Sequence, residues 1–325
     1  MTFLHSVYRN GNYFVILKGR CSLEKRCFRI DEPLTPDFPD SIDLKISNRC
    51  SIGCPYCHEE SIPAGGLADF DEIKKHLNSL PNKPIEVAIG GGDLVEDDES
   101  FELLKNVIIW LTERNIRASL TINEKSLNHV TFPKIISLKP HGLGISLGPG
   151  ITEQRLLDIK DILTDEPFFR STTTLVYHII LGMFPVDILK RILNVDNRSG
   201  LLEFGNNRVL FLGYKQFGRA KQTPLPDTIP VFESIIKRCI LRQRELPNDM
   251  FSSITLGFDN LAVDQINLEG ALLDTEFGDI FLGPEFSCSM YVDAVKGQYA
   301  ESSTSTNRVD WNSIDIIDYF KHDKN

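Results

Sequence analysis

Short apolar segments alternate with helical patterns along most of the chain, and this alternation restricts the fold more than any other feature. Several of the segments are apolar at nearly every position, as is typical of parallel strands covered on both faces. About six strand–helix repeats predict an α/β protein, a partial (β/α)6 TIM-like parallel barrel. The predicted strands are SIDLKIS, IEVAIGGGD, RASLTIN, GLGISLG, TTTLVYHIIL, RVLFLGY and SITLGFD.

The two ends of the chain break this alternation, so three domains are predicted. Residues 1–39 form an N-terminal extension with the short strands YFVILKG and KRCFRI. Residues 40–262 form the barrel, and residues 263–325 form a C-terminal extension. In that extension, FSCSMYVDAVKGQYAESS predicts a β-hairpin that turns near Lys296 and Gly297, and SIDIIDYFK predicts a short closing helix.

Composition narrows the class of protein. The 325 residues are 42% hydrophobic and 25% charged, which is typical of an ordinary globular protein. The net charge of −10 argues against broad binding to nucleic acid, which requires a basic surface. The start lacks the pattern of a signal peptide, and no apolar run has the length of a membrane-spanning helix. These features predict a cytoplasmic protein that does not associate with membranes.

Three of the seven cysteines, Cys50, Cys54 and Cys57, lie together in SNRCSIGCPYCHEES. An odd number of cysteines with three crowded together does not suit a secreted disulfide framework. Clustered thiolates suit zinc or an iron–sulfur cluster instead. His58 is the candidate fourth ligand for zinc, but as the neighbour of Cys57 it is poorly placed to close a tetrahedron. Three thiols suit three irons of a 4Fe–4S cluster and leave the fourth iron open. The loop follows the first predicted barrel strand, at the face where barrel enzymes have their active sites.

The C-x3-C-x2-C spacing, with Tyr56 before the last cysteine, resembles the signature of the radical S-adenosylmethionine (SAM) superfamily. The resemblance implies that Cys50, Cys54 and Cys57 bind a 4Fe–4S cluster whose unique iron is chelated by the amino and carboxylate groups of SAM. It also implies reductive cleavage of SAM, a 5′-deoxyadenosyl radical that abstracts hydrogen from a substrate, and an electron donor such as flavodoxin or ferredoxin.

A second motif, AIGGGDL, ends the next predicted strand, and Gly91, Gly92 and Asp93 resemble the family's Gly-Gly-Glu. Glycines let backbone carbonyls approach a ligand closely, and a nearby carboxylate favours an ammonium group. The resemblance therefore implies contact with SAM. The alternative interpretation is a plain strand-to-helix turn.

Two later strand ends resemble the family less closely. LTINEKSL is similar to the strand that ends in Thr-Asn-Gly, which places Asn123 near SAM, while Glu124 departs from the Gly. GISLGPG is similar to Ser-x-Asp-Gly, which places Ser146 near the ribose, while Gly148 replaces the Asp. Asn123 and Ser146 are otherwise ordinary polar residues at strand ends.

Further polar residues are candidates for contacts with SAM or substrate. Either Arg155 or Arg170 is predicted to face the SAM carboxylate. Lys215 and Asp259 are candidates for binding a charged substrate, with solvated loops as the alternative. The remaining polar side chains at strand ends are His178, interpreted as a packed histidine, and Tyr214.

The C-terminal hairpin resembles the SPASM and twitch extensions of peptide-modifying radical SAM enzymes. Only Cys288 remains of the cysteines that bind auxiliary clusters there, so the resemblance implies a degenerate extension without such a cluster. Cys288 is either a hydrogen-atom donor, as in radical peptide epimerases, or a buried small hydrophobic residue. Cys239 is predicted to lie in the core.

These features give one leading hypothesis and three alternatives. The leading hypothesis is a radical SAM enzyme that modifies a peptide or protein. Within the same chemistry, the alternative substrate is a nucleotide or another small metabolite. Outside it, the alternatives are a zinc-stabilised binding module that uses the three clustered cysteines and His58, and a ferredoxin-like electron carrier.

Overall fold

The computed structural model describes residues 4–18, 22–27, 32–165, 173–193, 208–245, 254–268 and 285–322, and these contain thirteen strands and eight helices. The strands are β1 (Leu4–Asn10), β2 (Tyr13–Lys18), β3 (Ser22–Cys27), β4 (Ser41–Ser47), β5 (Glu86–Gly91), β6 (Arg117–Asn123), β7 (Gly142–Leu147), β8 (Thr174–Ile180), β9 (Arg208–Leu212), β10 (Thr255–Phe258), β11 (Ser289–Asp293), β12 (Gln298–Ala300) and β13 (Val309–Asp310). The helices are α1 (Phe70–Leu77), α2 (Asp98–Glu113), α3 (Thr131–Ser137), α4 (Glu153–Thr164), α5 (Val186–Ile192), α6 (Ile229–Glu245), α7 (Asn260–Gln265) and α8 (Ile316–His322). Arg170, one of the two predicted SAM-carboxylate residues, lies outside the described residues.

The chain divides into two compact units, and the first comprises Met1–Gly53, Ser61–Leu120 and Leu282–Asn325. Its main sheet has the strand order β6-β5-β4-β11-β12-β13, in which β4 pairs in parallel with both β5 and β11. β1, β2 and β3 form a separate antiparallel sheet. The predicted hairpin is confirmed, because β11 and β12 are antiparallel. It is continuous with the barrel sheet, since β11 lies directly beside β4.

Burial explains why β4 occupies the middle of this sheet. Ile42, Leu44 and Ile46 are almost completely buried on one face. On the other face, Lys45 is also buried and forms an ion pair with Asp293 of β11, with 3.2 Å between Nζ and Oδ2. A buried charge requires a partner of this kind, so the pair fixes β11 against β4.

The second unit comprises Cys54–Glu60 and Thr121–Phe281. It contains the last residues of β6 and the strands β7, β8, β9 and β10, which are neighbours in that order and parallel from β7 onward. Alternate residues of β7, Leu143, Ile145 and Leu147, are buried. Each of the five strands from β6 to β10 is followed by one helix, and these helices are α3 to α7 in chain order.

The succession of elements confirms the predicted fold class. Each of the six strands from β4 to β9 is followed by a helix, which gives the six repeats of a partial TIM-like barrel, and β10 with α7 adds another strand and helix. The three-domain division at residues 39 and 262 stays a prediction. Among the described residues, none of the helices combines the length and apolar character needed to cross a lipid bilayer.

Candidate functional site

The start of the cysteine loop is fixed in the first unit by a returning segment of chain. Cys50 N donates to Ile62 O at 3.0 Å, and Asn48 N donates to Gly66 O at 2.8 Å. The Cys50 thiol is half-buried and is not part of a disulfide. These two backbone hydrogen bonds therefore hold Cys50 in place directly after β4.

Gly91 and Gly92 lie against this same stretch of backbone. Gly91 has a φ of +118°, and a Cβ on Gly92 would lie 1.9 Å from Arg49 O. Gly92 N donates to Ser47 O, and Asp93 N donates to Arg49 O, both at 2.8 Å. Glycine is therefore required at both positions, because the backbone there lies directly against the backbone of Ser47 and Arg49, next to Cys50. Asp93 is buried, and its predicted contact with SAM stays a prediction.

The other two clustered cysteines belong to the second unit. Cys57 N donates to Cys54 O at 3.2 Å, which makes a tight turn with both thiols free and half-buried. Asn123, at the end of β6, directs its side-chain Nδ2 to Cys54 Sγ at 3.9 Å, while its Oδ1 accepts from Lys125 N. The pKa of Tyr56 is raised mainly by burial and to a smaller extent by the nearby Cys54. The structure thus brings the predicted residues Asn123 and Cys54 together.

A short turn after β9 also holds this loop, and the sequence analysis missed it. Arg219 Nε donates to Cys54 O at 2.8 Å, and Arg219 N donates to Cys57 O at 3.1 Å. Gly218 has a φ of +56°, and a Cβ there would lie 2.6 Å from Cys57 O. The Gly-Arg pair after a predicted strand was the available signal for this turn. Its hydrogen-bond partners are backbone carbonyls, and these cannot be identified from the sequence.

Arg155 is engaged within the chain. Its Nε donates to Glu124 Oε2 at 2.9 Å, and its Nη2 donates to the backbone oxygens of Glu124 and Leu127. Glu124 is 5% exposed, and Gly148, at the end of β7, is also buried. Ser146 is half-buried two residues earlier. The predicted role of Arg155 toward the SAM carboxylate stays untested, but most of its donors already have partners.

The other predicted strand-end residues have mainly local roles. Asp259 caps α7, because its Oδ1 accepts from Ala262 N at 2.7 Å. The same oxygen also accepts from Gly213 N at 2.9 Å. Burial raises the pKa of Asp259. Tyr214 is 3% exposed. His178 is packed over Gly144, where a Cβ would meet its Cε1 at 2.4 Å, and burial lowers the pKa of His178 to about 4. Lys215 is half-buried.

Cys288 lies at the opposite end of β4 from Cys50. Ser289, the next residue, pairs with Ser41 at the start of β4, whereas Cys50 follows its end, roughly 20 Å farther along at the usual rise per residue. Cys288 Sγ is 3.8 Å from Tyr13 Oη, which donates to Asp40 at 2.5 Å. Cys288 is 6% exposed. This placement supports the buried-residue interpretation and counts against the hydrogen-donor role, which stays a prediction.

The donor set fits an iron–sulfur cluster by its chemistry. Cys50, Cys54 and Cys57 are three half-buried thiols in one loop, and soft thiolates are the usual ligands of such clusters. Among the residues that the structure describes, no three His, Cys, Asp or Glu side chains converge on the position of a single metal ion. A 4Fe–4S cluster does not require the three thiolates to converge on one position, because each thiolate binds its own iron.

The fold and the loop together define a parallel α/β barrel protein with a cysteine loop after its first barrel strand. Several solved structures have a similar fold. The crystal structure of SuiB from Streptococcus suis bound to the precursor peptide SuiA has a TM-score of 0.60 and 12% identity, and covers 88% of this chain and 65% of SuiB. SuiB bound to S-adenosylmethionine has a TM-score of 0.61 and 11% identity, with coverage of 88% and 66%.

These likenesses define the fold of the chain. At 65% and 66%, the chain spans slightly less than two thirds of the length of those SuiB chains. No family model matches the sequence, and no curated protein is similar to it.

Proposed function

We propose that this chain is a radical SAM enzyme that acts on a peptide or protein. The observation that carries the proposal is the cysteine loop, with three half-buried thiols at C-x3-C-x2-C spacing directly after β4, in a fold similar to that of SuiB. One SuiB structure contains S-adenosylmethionine and another contains a precursor peptide, which supports both the cofactor and the substrate class.

Cys50, Cys54 and Cys57 would hold a 4Fe–4S cluster, and Tyr56, Gly91, Gly92, Asp93, Asn123 and Ser146 would line the SAM site. When bound, the cluster and SAM supply one-electron cleavage of a carbon–sulfur bond and a radical that takes hydrogen from the substrate. An electron donor such as flavodoxin or ferredoxin would supply the electron. We place the enzyme in the cytoplasm, because a reducing compartment keeps the three thiols available for iron.

The chain's own residues position the loop. Arg219 donates to the backbone oxygens of Cys54 and Cys57, so the two thiols keep a fixed separation. Asn123 donates toward Cys54 Sγ, and hydrogen bonds to cysteine sulfur are one of the factors that set the reduction potential of a cluster. Asp93 is buried after the glycines, where a carboxylate would favour the ammonium group of SAM.

Cluster binding is tested first, with a matched pair of cysteine variants. The protein is purified without oxygen and reconstituted with iron and sulfide, and iron and zinc per chain are measured. Cys54→Ala should lose most of the iron. Cys239→Ala is the control, since Cys239 is buried among the apolar residues of α6 and should retain the iron. Zinc in place of iron in the purified chain would contradict the proposal and favour a zinc-stabilised module.

Radical chemistry is tested next by adding SAM and dithionite and measuring 5′-deoxyadenosine. We expect cysteine-dependent product, which increases when a suitable peptide is added. Candidate peptides are those encoded near the gene. If a nucleotide or another small metabolite stimulates turnover and peptides do not, the peptide assignment is wrong and the radical SAM assignment stands. An iron-loaded chain that neither binds SAM nor cleaves it would refute the enzyme proposal.

A further inference from the structure

The two faces of the main sheet in the first unit differ in burial. Successive residues of a strand point to opposite faces. On one face of β4, β5 and β6 the side chains are buried, and these are Ile42, Leu44, Ile46, Val87, Ile89, Ala118 and Leu120. On the opposite face Asp43 is exposed, although it lies in the middle of β4 with a strand paired on each side. A side chain at the centre of a sheet reaches solvent only where nothing covers that face, so the face is open at Asp43.

The parallel register places four residues of this open face in one row across the sheet. Tyr291 of β11 pairs with Asp43, Asp43 pairs with Ala88 of β5, and Ala88 pairs with Ser119 of β6. Ala88 and Ser119 are half-buried. Two residues farther along β5, a Cβ on Gly90 would meet nothing within 4 Å. Small residues on β5 therefore leave space beside the Asp43 carboxylate.

Three cationic side chains lie near this row, and each has partners within the chain. Lys45 is buried and forms its ion pair with Asp293, which is also buried. Arg117 and Arg308 each donate through Nε to a backbone oxygen at 2.9 Å. A ligand that enters the space beside β5 thus meets the exposed carboxylate of Asp43.

The surroundings of Asp43 suit a cation at the tip of a long side chain. A carboxylate favours an ammonium or guanidinium group. Ala88 and Gly90 leave room for the methylene stem that carries such a group. Asp43 lies four residues before Ser47, so it is roughly 13 Å from the end of β4 at which the cysteine loop begins. Lysine and arginine combine a long stem with a terminal cation and can reach to this depth.

We propose that Asp43 selects a substrate peptide with a lysine or arginine side chain, whose cation binds the Asp43 carboxylate while the peptide backbone stays near the carboxyl end of β4. This inference rests on the proposed function and adds the chemical class of the substrate side chain. Asp43 is then a specificity-determining residue, and it takes no part in the transfer of hydrogen.

The test uses three capped model peptides, acetyl-Gly-Gly-X-Gly-Gly-amide, in which X is lysine, norleucine or glutamate. Binding is measured by equilibrium dialysis against the iron-loaded protein with SAM and without reductant. The wild-type protein should bind the lysine peptide about fivefold or more tightly than the norleucine peptide, which is the effect of one ionic hydrogen bond. This preference should decrease at high salt. Asp43→Asn should remove it, and Asp43→Lys should favour the glutamate peptide.

A matched control is needed because the chain has a net charge of −10 and attracts cationic peptides in general. Glu113→Gln removes an exposed carboxylate at the end of α2 and should retain the full preference. Equal loss of preference in Asp43→Asn and Glu113→Gln would assign the preference to the overall charge, and the inference would be wrong.

Two other results also overturn the inference. One is a wild-type protein that does not distinguish the lysine peptide from the norleucine peptide, including the case in which neither binds measurably. The other is an Asp43→Asn variant that keeps the preference. Both results leave the proposed function standing if SAM and dithionite still yield 5′-deoxyadenosine. A wild-type chain that takes up no iron would instead overturn the proposed function itself.

Discussion

Replacing Gly92 by alanine should displace the backbone that precedes Cys50. The new Cβ would lie 1.9 Å from Arg49 O, whereas ordinary contacts begin near 3.4 Å, so the two segments must separate by roughly 1.5 Å. Both segments are backbone, and Asp93 N already donates to that carbonyl, so neither segment moves freely. Overpacking of this kind costs about 1–3 kcal/mol. At about 2–4 °C for each kcal/mol, a cost near the middle of that range lowers Tm by about 4–8 °C.

Gly90→Ala, two residues earlier, is the matched control. A Cβ on Gly90 would meet nothing within 4 Å, and alanine removes a backbone entropy cost of about 0.5–1 kcal/mol in a strand. Thermal unfolding of the two variants, together with iron per chain after reconstitution, is the measurement. We expect Gly92→Ala to lose both stability and iron, and Gly90→Ala to retain or gain stability. Equal behaviour of the two variants would refute the argument from close approach.

Three further predictions concern other parts of the chain. Gly218→Ala should reduce iron loading, because its Cβ would lie 2.5 and 2.6 Å from carbonyl oxygens of the cysteine loop; Gly150→Ala, where a Cβ meets nothing within 4 Å, should not. Lys45→Met should cost about 3–5 kcal/mol in chemical denaturation, because Asp293 remains buried without its partner, and adding Asp293→Leu should recover most of the loss. Burial lowers the pKa of His178 from 6.5 to about 4, so the unfolded chain takes up this proton at a higher pH than the folded chain does. The free energy of unfolding should therefore fall, by at most about 3 kcal/mol, as the pH decreases from 6.5 toward 4. His178→Leu should flatten that part of the curve of unfolding free energy against pH.

Each of these predictions has an outcome that contradicts it. Equal iron loading of Gly218→Ala and Gly150→Ala would show that the turn after β9 does not hold the loop. A double variant at Lys45 and Asp293 as unstable as the single variant would mean that the lost stability is due to packing. An unchanged pH dependence in His178→Leu would assign the loss at low pH to other groups.

Periodicity predicted the local elements well, because burial on both faces leaves a continuous apolar run. The segment GLGISLG became β7 for this reason, with Leu143 completely buried. The segment RASLTIN instead alternates polar and apolar residues, and this period of two predicted β6, in which Leu120 is almost completely buried. The C-terminal hairpin followed from its turn at Gly297, which has a φ of +66°. The pairing of β11 with β4 was not predicted, because it joins segments about 250 residues apart and leaves no periodic signal. β1 was also missed.

The candidate site divides in the same way. The spacing of the three cysteines is local, so the sequence was sufficient to predict one loop that carries all three thiols. The contacts that hold the loop are not local: Arg219 binds backbone carbonyls 162 to 165 residues away, which any sequence would provide. The pair formed by Glu124 and Arg155 was missed, because Arg155 was predicted to face the SAM carboxylate and Glu124 was noted only as a departure from glycine.

The position of β11 beside β4 has a consequence for biosynthesis. Lys45 and Asp293 are 248 residues apart, so at about 5–20 residues per second the ribosome delivers β11 roughly 12–50 s after β4. During that interval β4 lacks one neighbouring strand, and its buried lysine has not yet met its carboxylate. The cysteine loop thus leaves the ribosome well before β11, which completes the sheet beside β4. Iron delivered to the finished chain meets a supported loop; iron delivered during translation meets three thiols beside an open strand edge.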